Sequence, residues 1–317
     1  MNNAENKLAP NFTYFIKRIN PSPTYEQAAA SAHSQITSLI ENREGPAGDL
    51  RIKCFLQGSY KQETAIHTIN DVDIVALCSL SYSPSANQKT RDQIFEMIAA
   101  AIAENATYKD IIRHRKRSIC IKVELEGVKL EILPAIREKG KPFEYEPFYI
   151  FRPNENESLD GNWDVGFARI HQKLITNKNV STGGLFVPMI KVLKHLRSID
   201  PKFKIEDAIS FHIECLLYAL KDSIYEGSTC ECLESVLKAL AGFSSDKAIK
   251  SQIKSPCREK LLFDSSEWNI EAYARFHEAV IRWHNLTSQA NREPDKEKAI
   301  DIWINLLGET YFPREPQ

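Results

Sequence analysis

The chain has 317 residues, of which 43% are hydrophobic and 26% charged, with a net charge of −1. That length buries a full core, most naturally in two lobes. The even charge excludes a disordered chain and a strongly basic nucleic-acid binder, so an anionic substrate must meet a local positive pocket.

No run reaches the roughly 18 apolar residues of a membrane span, and the start, Met1-Asn2-Asn3-Ala4-Glu5, lacks a signal-peptide core. The expectation is a chain with no membrane association. Seven cysteines, an odd number scattered along the sequence, do not form a disulfide framework and place it in a reducing cytoplasm. Cys230, Cys232 and Cys257 could supply three zinc ligands, but a histidine at ligand spacing is missing and each cysteine equally fits a structural role.

In chain order, the Ala- and Gln-rich segment Tyr25 to Ile40 predicts one long helix, entered from Pro21-Ser22-Pro23-Thr24 with Thr24 as its cap. Glu44 to Asp49 is a turn. Arg51 to Leu56 is a short strand feeding a Gly58-Ser59 turn, and Lys61 to Ile66 a short helix. Asn70 turns the chain into a strand from Asp71 to Leu80. Asp92 to Ala106 is helical by the spacing of Ile94, Phe95, Ile98, Ala101 and Ile102. Ser118 to Leu125 alternates apolar and polar residues, Glu126-Gly127 turns, and Val128, Leu130 and Ile132 continue in a returning strand that Pro134 ends. Lys139 to Asn162 reads as a crossing loop. The rest is helical: Val165–Asn177, Gly184–Ser198, Ile205–Asp222, Cys232–Ala241, Ile270–Gln289 and Lys296–Leu307.

Chemistry concentrates in Gly58-Ser59-Tyr60 and Asp71-Val72-Asp73. A tight Gly-Ser turn after a strand can offer backbone N–H groups to a phosphate. Alternate residues of a strand share a face, so Asp71 and Asp73 present two carboxylates together. Ile74 to Leu77 is apolar on both faces, which marks a buried strand. Two acids at its mouth repel unless a cation lies between them, and this favours a metal pair over a solvated edge. Glu131, on the polar face of the returning strand, is the candidate third acid. It could equally pair with Lys129 or Lys122, and Glu124 and Glu126 stand nearby. Lys61 fits either a phosphate neighbour or a solvated surface. The basic run Arg113 to Arg117 is read as a solvated strand entry, so no nucleic-acid activator is indicated.

These residues resemble the nucleotidyltransferase superfamily typified by DNA polymerase beta. They resemble more closely the cGAS/DncV-like nucleotidyltransferases of bacterial anti-phage systems. The likeness runs through Gly58-Ser59-Tyr60, Asp71-Val72-Asp73-Ile74-Val75 and Glu131-Ile132-Leu133-Pro134-Ala135. It continues through Pro188-Met189-Ile190-Lys191-Val192-Leu193-Lys194 and Ser210-Phe211-His212-Ile213-Glu214. It implies an α+β fold: a polymerase-beta-like core of mixed sheet and long N-terminal helix over 1–160, a helical lobe over 161–317, and an active site in the cleft between them. It further implies that Gly58 and Ser59 hold a donor triphosphate, that Lys194 and Ser210 contact it, and that Phe211 stacks on the donor base. On spacing alone the slightly favoured reading of Phe211 is a core aromatic in the run Ile209 to Leu220. Asp71, Asp73 and Glu131 would hold two Mg²⁺ ions, with Mn²⁺ as the alternative. Glu131 stands where the family usually carries Asp, and its extra methylene moves the carboxylate.

The implied reaction joins NTPs, ATP among them, into a cyclic di- or trinucleotide with release of pyrophosphate. The implied partners are an effector protein switched on by the product and a regulatory protein. Two other readings fit the same residues: another transferase of this fold (oligoadenylate synthase-like, RNA-tailing or protein-nucleotidylating), or a catalytically silent nucleotide-binding protein.

Overall fold

The sheet is built around one parallel pair. Strand β2 (Asp71–Ser81) lies along β4 (Val128–Arg137), with β1 (Lys53–Gln57) antiparallel on its outer edge. The other edge of β4 is shared. Its first half pairs with β3 (Ile121–Leu125), its last two residues with β5 (Phe148–Arg152), and β6 (Asn162–Gly166) closes the sheet. The coordinates are a computed structural model, which describes residues 8–68, 71–83, 88–105, 118–154, 161–257, 260–264 and 267–315. The basic run at 113–117 lies outside them.

The chain forms two units interleaved in sequence: a sheet unit of Ser22–Glu63 with Ile69–Gln172, and a helical unit of Met1–Pro21, Thr64–Thr68 and Lys173–Gln317. The division expected at residue 160 instead falls at 172/173, and two earlier segments belong to the helical unit.

In the sheet unit, β2 alternates as a strand must. Val72, Ile74, Ala76 and Cys78 face one core with Leu130, Ile132, Ile36 and Ile98. Helices α2 (Pro23–Ile40) and α4 (Gln88–Ala103) supply the helical side of that core. Val75 and Leu77 face the other side, in a small cluster with Leu133, Ala135 and Phe148. Asp71 and Asp73 share that second face. Ser22, not Thr24, caps α2: its hydroxyl accepts from the Tyr25 N–H at 3.1 Å, and Pro23 fills the first turn, where a missing N–H is harmless. Helix α3 spans Gly58–Lys61 rather than Lys61–Ile66.

Strand β4 runs through Pro134 instead of ending there. Its pairing with β3 stops at Ile132 and with β5 starts at Ile136, so the proline sits where one edge has no ladder to break. The expected loop 139–162 holds β5 and the first residue of β6, Asn162; Gly140, Pro142, Pro147, Pro153 and Gly161 lie outside the strands.

In the helical unit, α1 (Ala9–Ile19) was not anticipated, although Phe12, Phe15 and Ile19 recur at helical spacing and are all buried. Helix α5 covers Ala168–Ser181, because Val165 is taken by β6 opposite Tyr149. Next come α6 (Phe186–Ile199) and α7 (Ser210–Tyr218). The longer piece expected over 205–222 is broken because Ala208 and Ile209 are extended. Helices α8 (Thr229–Ala241), α9 (Ser245–Lys250), α10 (Ile270–Arg292) and α11 (Lys296–Leu307) complete a core around Phe15, Leu193, Leu216, Trp268 and Trp303.

Candidate active site

The second face of the sheet changes character along β2 and β4: apolar at Val75, Leu77 and Leu133, acidic at Asp71, Asp73 and Glu131. Register puts Asp73 directly opposite Glu131 across the parallel pair, and Asp71 one alternation away opposite Lys129. On the other side Asp73 pairs with Gln57, the residue before α3. All three acids are half-buried.

Gly58 closes this corner. Its φ of +69° is a left-handed conformation that glycine adopts without strain. A Cβ built there would stand 1.9 Å from Asp73 Oδ2, so only a bare Cα lets the carboxylate approach the turn. Ser59 follows in the first turn of α3, where helical N–H groups have no partner within the helix.

The electrostatics follow from the packing. Burial, then Glu131, then Asp71 push the Asp73 carboxyl up to about 7. Burial and then Glu131 raise Asp71, against the opposing pull of Lys129 and Lys122. Glu131 is ion-paired with Lys122, its cross-strand neighbour on β3, and accepts from the Cys120 thiol at 3.6 Å. The pairing weighed from sequence is thus real, while the register still sets Glu131 beside Asp73. Tyr25, from the first turn of α2, joins the same electrostatic field. Burial and then Asp71 push its hydroxyl up to about 12, and the oxygen is buried with no partner among the described residues. Sequence patterning could not distinguish this tyrosine from an ordinary packing residue.

Among the described residues, no three His, Cys, Asp or Glu side chains are gathered closely enough to hold a metal ion. Cys230 and Cys232 are simply buried in the helical core. For the acids, Lys122 engages Glu131 in place of a third ligand. The donor set still fits a hard divalent cation. It is all carboxylate oxygen, two members are raised by burial and then by the nearby Glu131 charge, and a glycine leaves the space beside Asp73 clear.

Lys194, Ser210 and Phe211 lie in the helical unit. Lys194 sits on α6 with no solvent exposure. Its ammonium donates to Glu214 Oε1 at 2.6 Å, to Thr64 Oγ1 at 3.0 Å and to the Thr64 carbonyl at 3.1 Å. The Thr64 hydroxyl in turn donates to Glu214 Oε1 at 2.9 Å. All three ammonium protons are engaged by these partners. A buried ammonium is tolerated only when paired in this way, and that requirement brings the two partners to it. Burial lowers the Lys194 pKa while Glu214 opposes the shift.

Ser210 opens α7 half-buried. Its hydroxyl accepts from the Arg197 guanidinium at 3.4 Å, and Arg197 also donates to the Ala208 carbonyl at 2.7 Å. Phe211 is half-buried against the helical core. Glu214, within the Ser-Phe-His-Ile-Glu run, and Thr64, between the turn and the acids, are the residues whose partnership the sequence did not reveal.

Comparison with known proteins accounts for both units. A family model described as the Second Messenger Oligonucleotide or Dinucleotide Synthetase domain matches residues 7–179. A second, the cGAS/DncV-like nucleotidyltransferase C-terminal helical domain, matches 173–285. The chain is 25% identical over 235 residues to a cyclic UMP-AMP synthase from Rhodothermus marinus, covering 67% of this chain and 77% of that protein. It is 23% identical over 314 residues to a cyclic AMP-AMP-AMP synthase from an Acinetobacter species, covering 96% and 84%. The solved CdnC:HORMA-deltaN complex from E. coli MS115-1 shares the fold, with a TM-score of 0.69 at 15% identity, covering 96% of this chain and 98% of that one. Matched by family models from residue 7 to residue 285, this α+β chain belongs to the cGAS/DncV-like nucleotidyltransferases.

Proposed function

We propose that this protein joins nucleoside triphosphates, ATP among them, into a cyclic di- or trinucleotide, with attack of a ribose hydroxyl oxygen on an α-phosphorus and departure of pyrophosphate. The observation that carries the reading is the acid face, where Asp73 stands opposite Glu131, shares its face with Asp71 and closes against Gly58. Enzymes of this family generally use divalent metal ions. Here Asp71, Asp73 and Glu131 would hold two Mg²⁺ ions. When bound, the ions offset charge between the donor phosphates and the attacking oxygen.

The chain's own groups do the rest by positioning. Gly58 keeps its Cα bare so that a phosphate and a carboxylate approach the same turn. Ser59 binds the donor phosphates through its hydroxyl and the first-turn N–H groups of α3. Glu131 orients the attacking hydroxyl once Lys122 releases it. Arg197 fixes the Ser210 hydroxyl toward the phosphate, and Phe211 offers a base-stacking ring that selects no particular base. We place the enzyme in the cytoplasm, in phage defence. Its product acts on a separate effector, and a regulatory protein partners it; the solved E. coli neighbour is a complex with HORMA-deltaN.

The test is direct. Purified protein incubated with four NTPs and Mg²⁺ forms a cyclic product and pyrophosphate, and Asp71→Asn with Asp73→Asn reduces both to background while circular dichroism stays unchanged. A wild-type rate from the double variant defeats the assignment.

A further inference from the structure

The acids of the sheet unit stand in rows with lysines. Asp73, Glu131 and Lys122 are direct neighbours across β2, β4 and β3, and one alternation away Asp71, Lys129 and Glu124 form a second row. Adjacent strands lie about 4.8 Å apart, so paired side chains on one face meet. In the second row the cation stands in the middle, between two carboxylates. In the first row two carboxylates adjoin and the cation stands at the end. Glu131 therefore has a carboxylate on one flank and an ammonium on the other. Both of its oxygens are turned to the ammonium flank: Oε1 accepts from Lys122, and Oε2 from the Cys120 thiol at 3.6 Å. Cys120 is itself tied down, because the Ser118 hydroxyl donates to its carbonyl at 2.7 Å.

The two flanks compete for one carboxylate. A cation shared by Asp73 and Glu131 needs a Glu131 oxygen turned toward β2, whereas Lys122 holds that side chain toward β3. The Lys122 side chain is 57% exposed, and so exposed an ion pair is a weak tie, worth at most about fivefold in an equilibrium constant. A divalent ion held between two carboxylates gains more than that. Lys122 therefore delays such an ion without forbidding it. We infer that Lys122 is a positioning residue acting through Glu131: it holds this carboxylate on the β3 side, so that the acid face fills first at Asp71 and Asp73 and takes a second cation only as the ammonium is displaced. Cys120 supports the held position. The inference rests on the two-metal reading proposed above and adds to it the order in which the acids are filled.

The test counts ions without turnover. Nucleotide-free protein is titrated with Mn²⁺, and the paramagnetic resonance signal of the free ion gives the number bound and the Kd of each. Lys122 and Lys129 are both exposed, so substitutions there leave the fold intact, which circular dichroism checks. Wild type binds a first Mn²⁺ at least about tenfold more tightly than a second. Lys122→Met tightens the second by about fivefold, and Lys122→Arg, which keeps the ion pair, behaves as wild type. Lys129→Met removes the same charge from the neighbouring row and tightens the second ion by less than about twofold. A second ion bound no more tightly by Lys122→Met would overturn the inference. Equal tightening in Lys129→Met would overturn it too, because the effect would then belong to the general field and not to competition for Glu131. Absence of bound Mn²⁺ in wild type and variants alike would overturn it together with the metal assignment. If the second ion tightens as expected while four NTPs give no product, the inference stands and only the synthase reading fails. If wild type makes the cyclic product while Lys122→Met binds Mn²⁺ as wild type does, the synthase reading stands and the inference fails.

Discussion

Asp73 and Lys194 are both withdrawn from water, yet their surroundings treat them in opposite ways. Asp73 is set beside carboxylates of its own sign, and its proton is held up to about 7. Lys194 is given a carboxylate, a hydroxyl and a carbonyl, one acceptor for each proton. The acid face is left electrostatically incomplete, while the lysine cluster is complete in itself. An incomplete set is suited to receive a cation, whereas a complete one is suited to hold a shape. The units differ in the same sense toward pH. The acid face is strained by ionisation. The helical core buries neutral imidazoles: His195, which donates to the Leu307 carbonyl at 2.8 Å, and His212, which donates to the Glu267 carbonyl at 3.1 Å.

The sharpest way to break this contrast is to spoil the complete cluster. Glu214→Ala leaves the Lys194 ammonium enclosed without its anion and should destabilise the helical unit by about 3–5 kcal/mol, read by urea unfolding. A loss below about 1 kcal/mol would mean that the ammonium finds water or another acceptor easily, and the cluster would not be the closed arrangement described.

Acid should act next. Burial holds both His195 and His212 down to about 4. A histidine lowered in the fold contributes stability above its unfolded value near 6.5, and that contribution is lost as pH falls toward 4. Each then forfeits about 3 kcal/mol across that window. Unfolding followed from pH 7 to pH 4 should show the decline, and His195→Asn should flatten it. A variant with the same slope as wild type would remove His195 from the account.

The smallest effect has the opposite sign. The Asp73 carboxyl is raised in the fold, so its contribution is full below its unfolded value near 4 and is lost as pH rises through about 7. In metal-free protein at pH 8, Asp73→Asn should therefore raise stability by roughly 1–3 kcal/mol, and the gain should shrink toward pH 4. Mg²⁺ should stabilise the wild type more than the variant. A variant less stable than wild type at pH 8 would show that the acid face is not repulsive.

Much of this site was legible because it depends on local pattern. The alternation in Asp71-Val72-Asp73 already put both acids on one face, and the apolar run behind them already marked a buried strand. The hairpin fixed which face Glu131 would share, and its register with β2 agrees. The partners of Lys194 were not legible, for a reason of kind. A lysine on an apolar helix stripe signals a partner, but spacing does not say whether the partner is a ligand or a glutamate twenty residues later. Pro134 misled in the same way. Its missing N–H ends a strand that is paired on both edges, and whether β4 was so paired depended on where β3 stopped and β5 began.

What the sequence determined by itself, then, is what short-range geometry controls: the faces of strands, the glycine turn and most of the long helices. Tertiary structure decided which unit each segment joined. Residues 64–68 sit between two sheet-unit segments yet pack in the helical unit, because Thr64 meets Lys194 and Glu214 from 130 and 150 residues away. Burial strength and pKa, set by neighbours remote in the chain, were decided there as well. No local period encodes an acceptor that only the folded chain brings within 3 Å.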